Sequence, residues 1–562
     1  MPSPRLQNQF VRLWRHFNGV NSQTNLQSLA EVLYCSRRHV RTLLNEMQTN
    51  GWLSWEAAAG RGKLSWLQFH RNGLELQQAQ AEKLLQQEGI EKLVALVGDK
   101  DAIRQTVLSE LERSYRQGKS LLRIVYYRAF PNLLPGTPLR RSEIHLLSQI
   151  FNGLTHINEE KGEVESGLAH HWQAISETHW RFYLRPAIYF HHGRELQMND
   201  IITSLQRLKS SWPLFSHIDH IDSPLPYIID IYLTERDKQF PWLMGSPHAA
   251  ILPNEWQQIK DFSKHPIGTG PYQVTKNTPN KLTISAFDRY FGYRSLLDEV
   301  SIWVLPELSQ QMVCTTLKME GDEENSDCLE GRMEDGCYFL LMDARSKLSQ
   351  RDDIRQWLCS FLTPINLLAH CDPFYQRHWA PAYGLLLHWH HSKTLSYLPK
   401  PPELTELTVT FYHHHHEFNT ISQIMQHVLA MQGVKLNINI IDYDDWFNGN
   451  AESDIWLATA NFIRPLEFSL FSTLYEMPLL HKCLNTSFSA ELSQWRQREL
   501  NIERWCASMV ESQMFHPLLH HRLEIQGQRT LRGVRMNTFG WFDFKSAWFK
   551  PLEDNTQKPL KL

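Results

Sequence analysis

Polar side chains that can bind nucleic acid gather on one side of a helix predicted at residues 37–47. They are Arg37, Arg38, His39, Arg41, Thr42 and Asn45. Guanidinium groups donate to phosphates and to base edges, and hydroxyl and amide groups bond to base edges as well. Ser36 directly precedes the helix and is a good N-cap, and a helix N-terminus attracts phosphate. The pattern therefore predicts a surface that contacts a DNA groove, although a solvated helix face would show the same residues if it stood alone.

A second basic segment follows this helix. Residues 51–55 and 64–69 alternate apolar and polar side chains like two strands, and a glycine-rich turn with Arg61 and Lys63 joins them. A basic turn at the tip of a two-stranded ribbon would lie over a phosphate backbone. The order of helix, turn, arginine-rich helix and basic hairpin is typical of a winged helix-turn-helix, in which the second helix enters the major groove.

Composition and charge agree with a separate DNA-binding head. The 562 residues carry a net charge of −3, and 42% of them are hydrophobic, which excludes a mostly disordered chain. The first 71 residues hold nine basic and three acidic side chains, a net charge of +6, so the remainder carries −9. A basic segment joined to a mildly acidic body favours a DNA reader with a separate effector domain.

Other features of the sequence bear on location. The N-terminus lacks a secretory signal pattern, and no apolar run is long enough to span a membrane. The eight cysteines are scattered without a disulfide or zinc spacing. The sequence thus predicts a cytoplasmic protein that does not enter a membrane.

No catalytic or metal-binding set emerges. The sequence lacks the Gly-x-Ser-x-Gly and His-Glu-x-x-His motifs, so an enzyme is not expected, nor is a cofactor. His413 to His416 are four successive imidazoles, but neighbours in an extended segment point to opposite faces, so metal binding is not expected there. The Gly268-Thr269-Gly270 turn lacks the spacing of a phosphate-binding P-loop, and we interpret it as a structural turn.

The chain is predicted to be an α/β multidomain protein. Residues 1–72 form the winged helix-turn-helix head, with the helix-turn-helix at about 26–49 and the wing at about 52–69. Residues 73–120 have a helical composition and form either a connector or a homodimer interface. Residues 121–552, the body, alternate strands and helices, which favours two α/β lobes with ligand space between them.

The body resembles the family 5 extracytoplasmic solute-binding proteins, which bind oligopeptides, nickel complexes and related solutes. The resemblance rests on residues 149–154 (QIFNGL), 168–172 (LAHHW), 180–193 (WRFYLRPAIYFHHG), 199–205 and 266–272 (PIGTGPY), the last being the most specific. It implies a two-lobed, periplasmic-binding-protein-like fold for the body.

A winged helix joined to such a body is similar to the SgrR family of bacterial transcriptional regulators. The matching segments are 35–39 (CSRRH), 51–53 (GWL), 60–63 (GRGK), 535–537 (RMN) and 540–548 (GWFDFKSAW). The resemblance covers essentially the whole chain. It implies activation of a small regulatory RNA gene in glucose-phosphate stress, together with repression of the protein's own gene.

One departure from the peptide binders bears on the solute. Where they carry an A-D-Y-x-D-P stretch whose first Asp anchors an amine, this chain has residues 460–465 (ANFIRP). Asn461 replaces the anchoring Asp and Arg464 replaces the second one, which favours an anionic solute such as a sugar phosphate. The alternative is that Arg464 pairs with a nearby carboxylate such as Glu467. Aromatic faces for a sugar ring are predicted at Trp172, Tyr272, Trp446 and Trp456.

These patterns together predict a regulator that binds double-stranded promoter DNA through its head and a small-molecule effector through its body. The alternative from another class is the solute-binding component of a transport system with an added N-terminal segment.

Overall fold

The computed structural model describes residues 4–58, 64–77, 115–116, 118–306, 326–392, 398–528 and 530–550. The chain divides into two compact units, Met1–Arg116 and Gln117–Leu562. The predicted connector at 73–120 lies outside the described residues except for 73–77, 115–116 and 118–120. Its roles as connector or dimer interface, and the domain limits at 72 and 120, stay predictions.

The first unit contains a winged helix-turn-helix. Its elements are α1 (Pro4–His16), β1 (Ser22–Thr24), α2 (Leu26–Val32), α3 (Arg37–Thr49), β2 (Leu53–Glu56) and β3 (Ser65–Phe69), and the unit ends with a two-residue strand, Tyr115–Arg116. The three strands pair in the order β1-β3-β2 and are antiparallel. The two helices of the motif and the two strands of the wing therefore lie where the sequence predicts them.

Strand β1 is an element that the periodicity of the sequence does not reveal. It occupies the polar run before α2, where only Thr24 is buried. Its backbone pairs with β3 from Ser22 opposite Leu67 to Thr24 opposite Ser65. The side-chain oxygen of Asn21 accepts the Phe69 N–H at 2.8 Å and extends this edge. Backbone pairing to an existing strand explains how polar residues form a strand without an apolar pattern.

The core of the head is built from the predicted apolar faces. Phe10 and Leu13 of α1 pack with Leu29 and Leu33 around the inward side of α3. That inward side consists of Val40, Leu43, Leu44 and Met47, all buried.

The body has two lobes, each built on β-sheets. In the first lobe, the strands Ile218–Asp222, Ile228–Leu233, His179–Leu184 and Ala169–Ser176 form an antiparallel sheet in that order. A second sheet contains Tyr272–Thr278, Lys281–Ala286, Glu299–Val304 and Lys119–Tyr126, of which the last two are parallel. Two short pairs are Thr155–Asn158 with Glu163–Ser166, and Leu531–Arg532 with Trp548–Phe549.

The second lobe is organised around one large mixed sheet. Its path runs through Ser326–Met333, Phe515–Gln528, Gly336–Met342, Ile455–Asn461, Glu406–Tyr412 and Lys435–Ile441, with Trp379–Pro381 pairing beside Phe515–Gln528. The α-helices described in the body are Arg141–Ile150, Met198–Ser211, Phe240–Leu243, Asp352–Phe361, Pro364–Ala369, Pro373–His378, His416–Ala430, Tyr443–Asn448, Leu466–Tyr475, Pro478–Leu484, Ser489–Gln497 and Ile502–Glu511. The 3₁₀ turns are Pro213–Phe215, Pro247–Ala249 and Trp256–Gln258.

The strand-helix-strand unit predicted between residues 407 and 441 is present. Glu406–Tyr412 and Lys435–Ile441 pair in parallel, and His416–Ala430 connects them. The helix begins five residues earlier than the predicted start at Ile421. Gly433 takes a positive φ of 69°, which suits the predicted break before the second strand.

The glycines of the Gly268-Thr269-Gly270 turn allow two backbone segments to approach closely. A Cβ on Gly268 would lie 2.0 Å from the Ile150 carbonyl oxygen, and one on Gly270 would lie 2.4 Å from the Ile150 carbonyl carbon. The Gly270 N–H donates to that same oxygen at 2.8 Å. The turn thus fixes the end of helix Arg141–Ile150, whose first residues contribute to the cavity described below.

Among the described residues, no helix has both the length and the apolar character needed to cross a membrane. Cys35, Cys337, Cys359, Cys371, Cys483 and Cys506 are free thiols.

Candidate DNA-binding surface and solute cavity

The outward side of α3 carries the predicted DNA-contacting residues. Arg37, Arg38, His39, Arg41, Thr42 and Asn45 are all exposed, while the opposite side of the helix is buried in the head core. The helix thus presents polar donors on a continuous solvent-facing strip, which is the arrangement that groove recognition requires.

Ser36 caps this helix. Its hydroxyl oxygen accepts the His39 N–H at 3.3 Å, and its backbone is extended, as expected of an N-cap. The cap defines where α3 begins and therefore which residues occupy its first turn. Its position agrees with the turn predicted from residues 34–36.

The arginines of α3 differ in their hydrogen bonds and ion pairs with other side chains. Arg37 donates from Nε to Oε1 of Gln27 at 2.5 Å, and Gln27 donates in turn to Glu31 at 2.9 Å. Arg38 and Arg41 have no carboxylate within 4.0 Å among the residues that the structure describes. Arg37 is therefore held against α2, whereas Arg38 and Arg41 keep their positive charge available to a ligand.

The wing strands pair from Leu53 opposite Phe69 to Glu56 opposite Trp66. The predicted phosphate contacts at the tip, Arg61 and Lys63, lie outside the described residues.

Arg12 is a basic residue beside the helix-turn-helix that the sequence argument did not single out. Its guanidinium carbon lies 5.1 Å from the centroid of the Tyr34 ring, within the range of a cation–π contact. Tyr34 is 83% exposed and has a φ of 49°, a left-handed conformation unusual for a non-glycine residue. The helical pattern of α1 places Arg12 outward, but the approach of Arg12 to the turn is a tertiary contact that periodicity alone does not give.

The body encloses a cavity of about 310 Å³ between its two lobes. This volume falls within the range of small-molecule sites, roughly 300–1,000 Å³. The first lobe contributes segments around residues 125–144 and 212–248, and the second contributes segments around 412–417, 443–447 and 459–477.

One end of the cavity is cationic. Arg140, Arg141 and Ser142 line it at the N-terminus of helix Arg141–Ile150, where no side chain caps the helix. The Arg140 guanidinium carbon lies 4.8 Å from the Tyr412 ring centroid and 5.1 Å from that of Tyr443. Since no carboxylate of the described residues pairs with Arg140, its positive charge adds to that of the helix N-terminus.

The other two arginines that line the cavity, Arg141 and Arg128, are already paired. Arg141 forms an ion pair with Glu334 and donates to the Asn461 side-chain oxygen at 2.9 Å. Arg128 and Glu143 form a buried, two-bond ion pair, in which Nη2 donates to Oε2 at 2.7 Å. Burial lowers the pKa of Arg141 and of Arg128, but the carboxylate beside each guanidinium outweighs it and the net shift is upward.

The histidine run contributes to the cavity wall. His415 and His416 line the cavity, and His415 Nδ1 lies 3.1 Å from Glu417 Oε2 while its ring stacks on Phe418 at 3.8 Å. Burial lowers the pKa of His415 although Glu417 opposes the change. Burial would raise the pKa of Glu417, but the hydrogen bond and charge of His415 lower it overall. Among the described residues, no group of three or more His, Cys, Asp or Glu side chains is placed to hold a metal ion.

Two of the predicted solute-binding residues line the cavity. Asn461 is 9% exposed, and its amide nitrogen Nδ2 is buried without a hydrogen-bond partner. Trp446 contributes its ring but donates its Nε1–H to the Leu457 carbonyl oxygen at 3.2 Å. Asn461 therefore holds an unused donor that is buried beside Arg141.

The remaining four predicted solute-binding residues lie elsewhere. Trp456 is fully buried and donates to Asp343 at 2.8 Å, and Tyr272 is fully buried and donates to the Leu297 and Phe544 carbonyl oxygens. Trp172 lies half-buried on the strand Ala169–Ser176. Arg464 has a side chain that is 60% exposed, 3.6 Å from Asp335 rather than beside Glu467. Tyr272 and Trp456 therefore pack in the hydrophobic core and do not line the cavity.

Comparison with known proteins finds a family profile that matches in each of the two units. The profile described as "Sugar transport-related sRNA regulator N-term" matches residues 5–118, and "Bacterial extracellular solute-binding proteins, family 5 Middle" matches residues 163–316. A winged helix-turn-helix joined to a solute-binding body defines a class of protein: a DNA-binding transcriptional regulator that senses a solute.

Full-length relatives give the family. The chain is 65% identical to the HTH-type transcriptional regulator SgrR of Photorhabdus laumondii and 59% identical to that of Yersinia enterocolitica; each alignment covers 98% of this chain and 100% of the relative. The chain belongs to the SgrR family of HTH-type transcriptional regulators.

Solved structures support the fold of the body. A dipeptide binding protein of Pseudoalteromonas sp. SM9913 in complex with Met-Leu matches with a TM-score of 0.63 and 16% identity, covering 76% of this chain and 100% of that one. The binding protein MoaA of A. tumefaciens R10, in complex with mannopinic acid, matches with a TM-score of 0.62 and 17% identity, covering 77% and 100%. At these identities the likeness establishes the family 5 solute-binding fold alone.

Proposed function

We propose that this regulator reads promoter DNA through the exposed side of α3 and responds to a sugar phosphate whose anionic group binds at Arg140. Membership of the SgrR family makes the chain a DNA-binding transcriptional regulator with a solute-binding domain. The proposal adds the residues that perform each task and the chemical class of the solute.

The unpaired guanidinium of Arg140 carries the solute half of the proposal. Arg128 and Arg141 are matched by Glu143 and Glu334, so Arg140 is the group whose charge a solute would neutralise. A phosphate there would also meet the free N–H groups at the start of helix Arg141–Ile150. The anionic preference inferred from the sequence is kept, but Arg140 takes the role that the sequence gave to Arg464.

The DNA half of the proposal rests on the exposed donors of α3. Ser36, Arg37, Arg38, His39, Arg41, Thr42 and Asn45 are proposed to contact the duplex, with Arg61 and Lys63 of the wing on the phosphate backbone. Arg38 and Arg41 are the proposed base or phosphate contacts with the greatest free charge.

The regulatory role proposed for the chain is activation of a small regulatory RNA gene in glucose-phosphate stress and repression of its own gene. The profile matched by the head, which names a sugar transport-related small-RNA regulator, supports this assignment. We place the protein in the cytoplasm, where promoters are, as a regulator without catalytic activity, and we retain the segment 73–120 as a proposed homodimer interface. The relatives of similar length are regulators, which favours this role over that of a transport component.

Solute binding can change DNA affinity only if one conformation of the body binds the solute better than another. Closure of the two lobes on the cavity is the proposed two-state element, because Arg140 of the first lobe already contacts Tyr412 and Tyr443 of the second. A bound anion between these segments would stabilise the closed arrangement.

Calorimetric titration of the full chain with glucose 6-phosphate tests the solute half. We expect Arg140→Ala to weaken binding by about 10- to 150-fold, the effect of losing a charged hydrogen bond worth about 1.5–3 kcal/mol. Arg464→Ala is the matched control and should leave the affinity unchanged, because its side chain is 60% exposed and does not line the cavity. Equal affinities of wild type and Arg140→Ala, or a loss confined to Arg464→Ala, would contradict the proposal.

Footprinting on the DNA upstream of the chain's own gene tests the coupling. Protection should change when glucose 6-phosphate is added to the wild type and should not change for Arg140→Ala. A footprint that is the same with and without glucose 6-phosphate for the wild type would remove sugar phosphates as the effector.

A further inference from the structure

The wall of the cavity also holds a carboxyl group in an unusual setting. Glu476 follows helix Leu466–Tyr475 of the second lobe, and Trp212 follows helix Met198–Ser211 of the first. Trp212 donates its Nε1–H to Oε1 of Glu476. The other oxygen, Oε2, has no hydrogen-bond donor within 3.5 Å among the described residues, and Nε2 of His248 lies 3.9 Å from it. All three residues line the cavity.

Among the described residues, no lysine or arginine lies within 4.0 Å of the Glu476 carboxyl group, and His248 is the basic side chain beside it. The side chains of His248 and Glu476 are 14% and 15% exposed, and the His248 ring stacks on the Trp212 ring at 4.3 Å. Burial, together with the positive charge of Arg207, lowers the pKa of His248 to about 4, so its ring is neutral at pH 7. The imidazole therefore cannot neutralise an ionised Glu476.

Burial has the opposite effect on the carboxyl group. It raises the pKa of Glu476 to about 8, against the effect of the hydrogen bond from Trp212. Phe447, Phe468 and Met477 also line the cavity, and the Phe447 ring stacks on the Trp212 ring at 6.4 Å. A protonated carboxyl in such a place offers one O–H donor and acceptor capacity, which matches a hydroxyl group of a solute rather than a second anion.

We infer that Glu476, oriented by Trp212, binds a hydroxyl group on the uncharged part of the solute whose anionic group is held at Arg140. The inference rests on the proposed function and deepens it, since it assigns two side chains of the cavity wall to two parts of a single molecule. The solute is then an anion joined to a neutral polyol, as in a sugar phosphate. Glu476 is the residue that distinguishes it from a bare phosphate or from a molecule anionic at both ends.

Three full-length proteins separate this role from a structural one: wild type, Glu476→Gln and Glu476→Ala. The probes are glucose 6-phosphate and inorganic phosphate, with binding measured by calorimetric titration at pH 7. We expect Glu476→Ala to weaken the binding of glucose 6-phosphate at least tenfold and to leave the affinity for inorganic phosphate unchanged. Glu476→Gln, which is neutral and can still both donate and accept, should stay within threefold of wild type. Retained phosphate binding and an unchanged thermal transition show that the variants are folded.

The pH dependence gives a second readout. Raising the pH from 7 to 9 passes through the pKa of Glu476 at about 8 and removes the O–H donor, so wild-type affinity for glucose 6-phosphate should fall. The phosphate has a second pKa near 6 and is a dianion across this interval, so its charge hardly changes. The Glu476→Gln protein lacks the titrating group and should keep its affinity over the same range.

The outcomes are distinguishable. Loss of binding with Arg140→Ala but none with either Glu476 variant, or a flat pH profile for the wild type, would overturn the role of Glu476 and leave the proposed function intact. Tighter binding of glucosamine 6-phosphate than glucose 6-phosphate, abolished in Glu476→Gln, would show an ionised carboxylate that selects an amine and would also overturn it. No binding of glucose 6-phosphate to the wild type would overturn the proposed function itself, and this inference with it.

Discussion

The head and the body place their functional side chains in different ways. In the head, the proposed DNA contacts are consecutive turns of one helix, and a single amphipathic pattern both buries Val40 and exposes Arg38 and Arg41. In the body, the cavity is lined by residues from both lobes, and Arg140 and Glu476 are more than 300 positions apart. A surface carried by one element survives small changes elsewhere, whereas a cavity assembled from several segments depends on how closely their backbones pack.

The largest effect on stability is expected from glycine substitutions that test how much the cavity depends on close backbone packing. Gly270→Ala would place a Cβ 2.4 Å from the Ile150 carbonyl carbon and 2.6 Å from the Gln149 carbonyl oxygen, and both of these atoms belong to the backbone. We expect it to lower the free energy of unfolding of the body by about 3 kcal/mol or more, because overpacking against a fixed backbone cannot relax. Calorimetric scanning of the full chain measures the effect.

Gly51→Ala is the matched substitution in the head. Gly51 also has a special conformation, with a φ of 69°, but no heavy atom lies within 4 Å of a Cβ built there. Only the left-handed backbone is strained, at about 1–2 kcal/mol. If Gly270→Ala destabilised the protein no more than Gly51→Ala does, the close approach would not hold the cavity segment in place.

Substitutions on α3 should affect DNA binding without affecting stability. Arg38→Ala or Arg41→Ala removes an exposed guanidinium, and a specific base contact is worth about 1–3 kcal/mol, or about 5- to 150-fold in affinity. Gel-shift titration with the chain's own upstream DNA measures the loss. Arg504→Ala, an exposed arginine of the body paired with Glu511, is the control and should leave the affinity unchanged. Wild-type affinity in both α3 variants would exclude this helix as the reading surface.

The N-cap of α3 provides the smallest and most local effect. Ser36→Ala removes the acceptor for the His39 N–H and should destabilise the first turn by about 0.5–2 kcal/mol. Amide hydrogen exchange in that turn should become faster, while exchange in the body stays the same. Ser36→Asn keeps a capping acceptor and should restore slow exchange; equally fast exchange in both variants would show that the cap contributes little.

The fold of the head was largely predictable because its elements are local. The buried and exposed sides of α3, the cap at Ser36 and the two wing strands follow from spacing within about 35 residues. Strand β1 was not predictable from periodicity, because its polar residues gain their conformation by backbone pairing to β3.

The solute site was less predictable because segments distant in the sequence pack together to form it. Which side chains line the cavity and remain unpaired depends on that packing. Sequence comparison pointed to Asn461 and to an anionic solute, and Asn461 does line the cavity. It could not show that Tyr272 and Trp456 complete the core or that Arg464 faces solvent beside Asp335. Nor could it show that Arg141 is matched by Glu334 while Arg140 is not, since Glu334 lies 193 positions away.

The sequence by itself determined the class of this protein: a basic winged helix joined to a family 5 solute-binding body, because helical and strand periodicity and short motifs are local properties of the chain. Tertiary structure decided which charges remain available. Whether a guanidinium is neutralised, or a carboxyl such as Glu476 is kept protonated, depends on partners and burial that segments distant in the sequence supply only when they pack together.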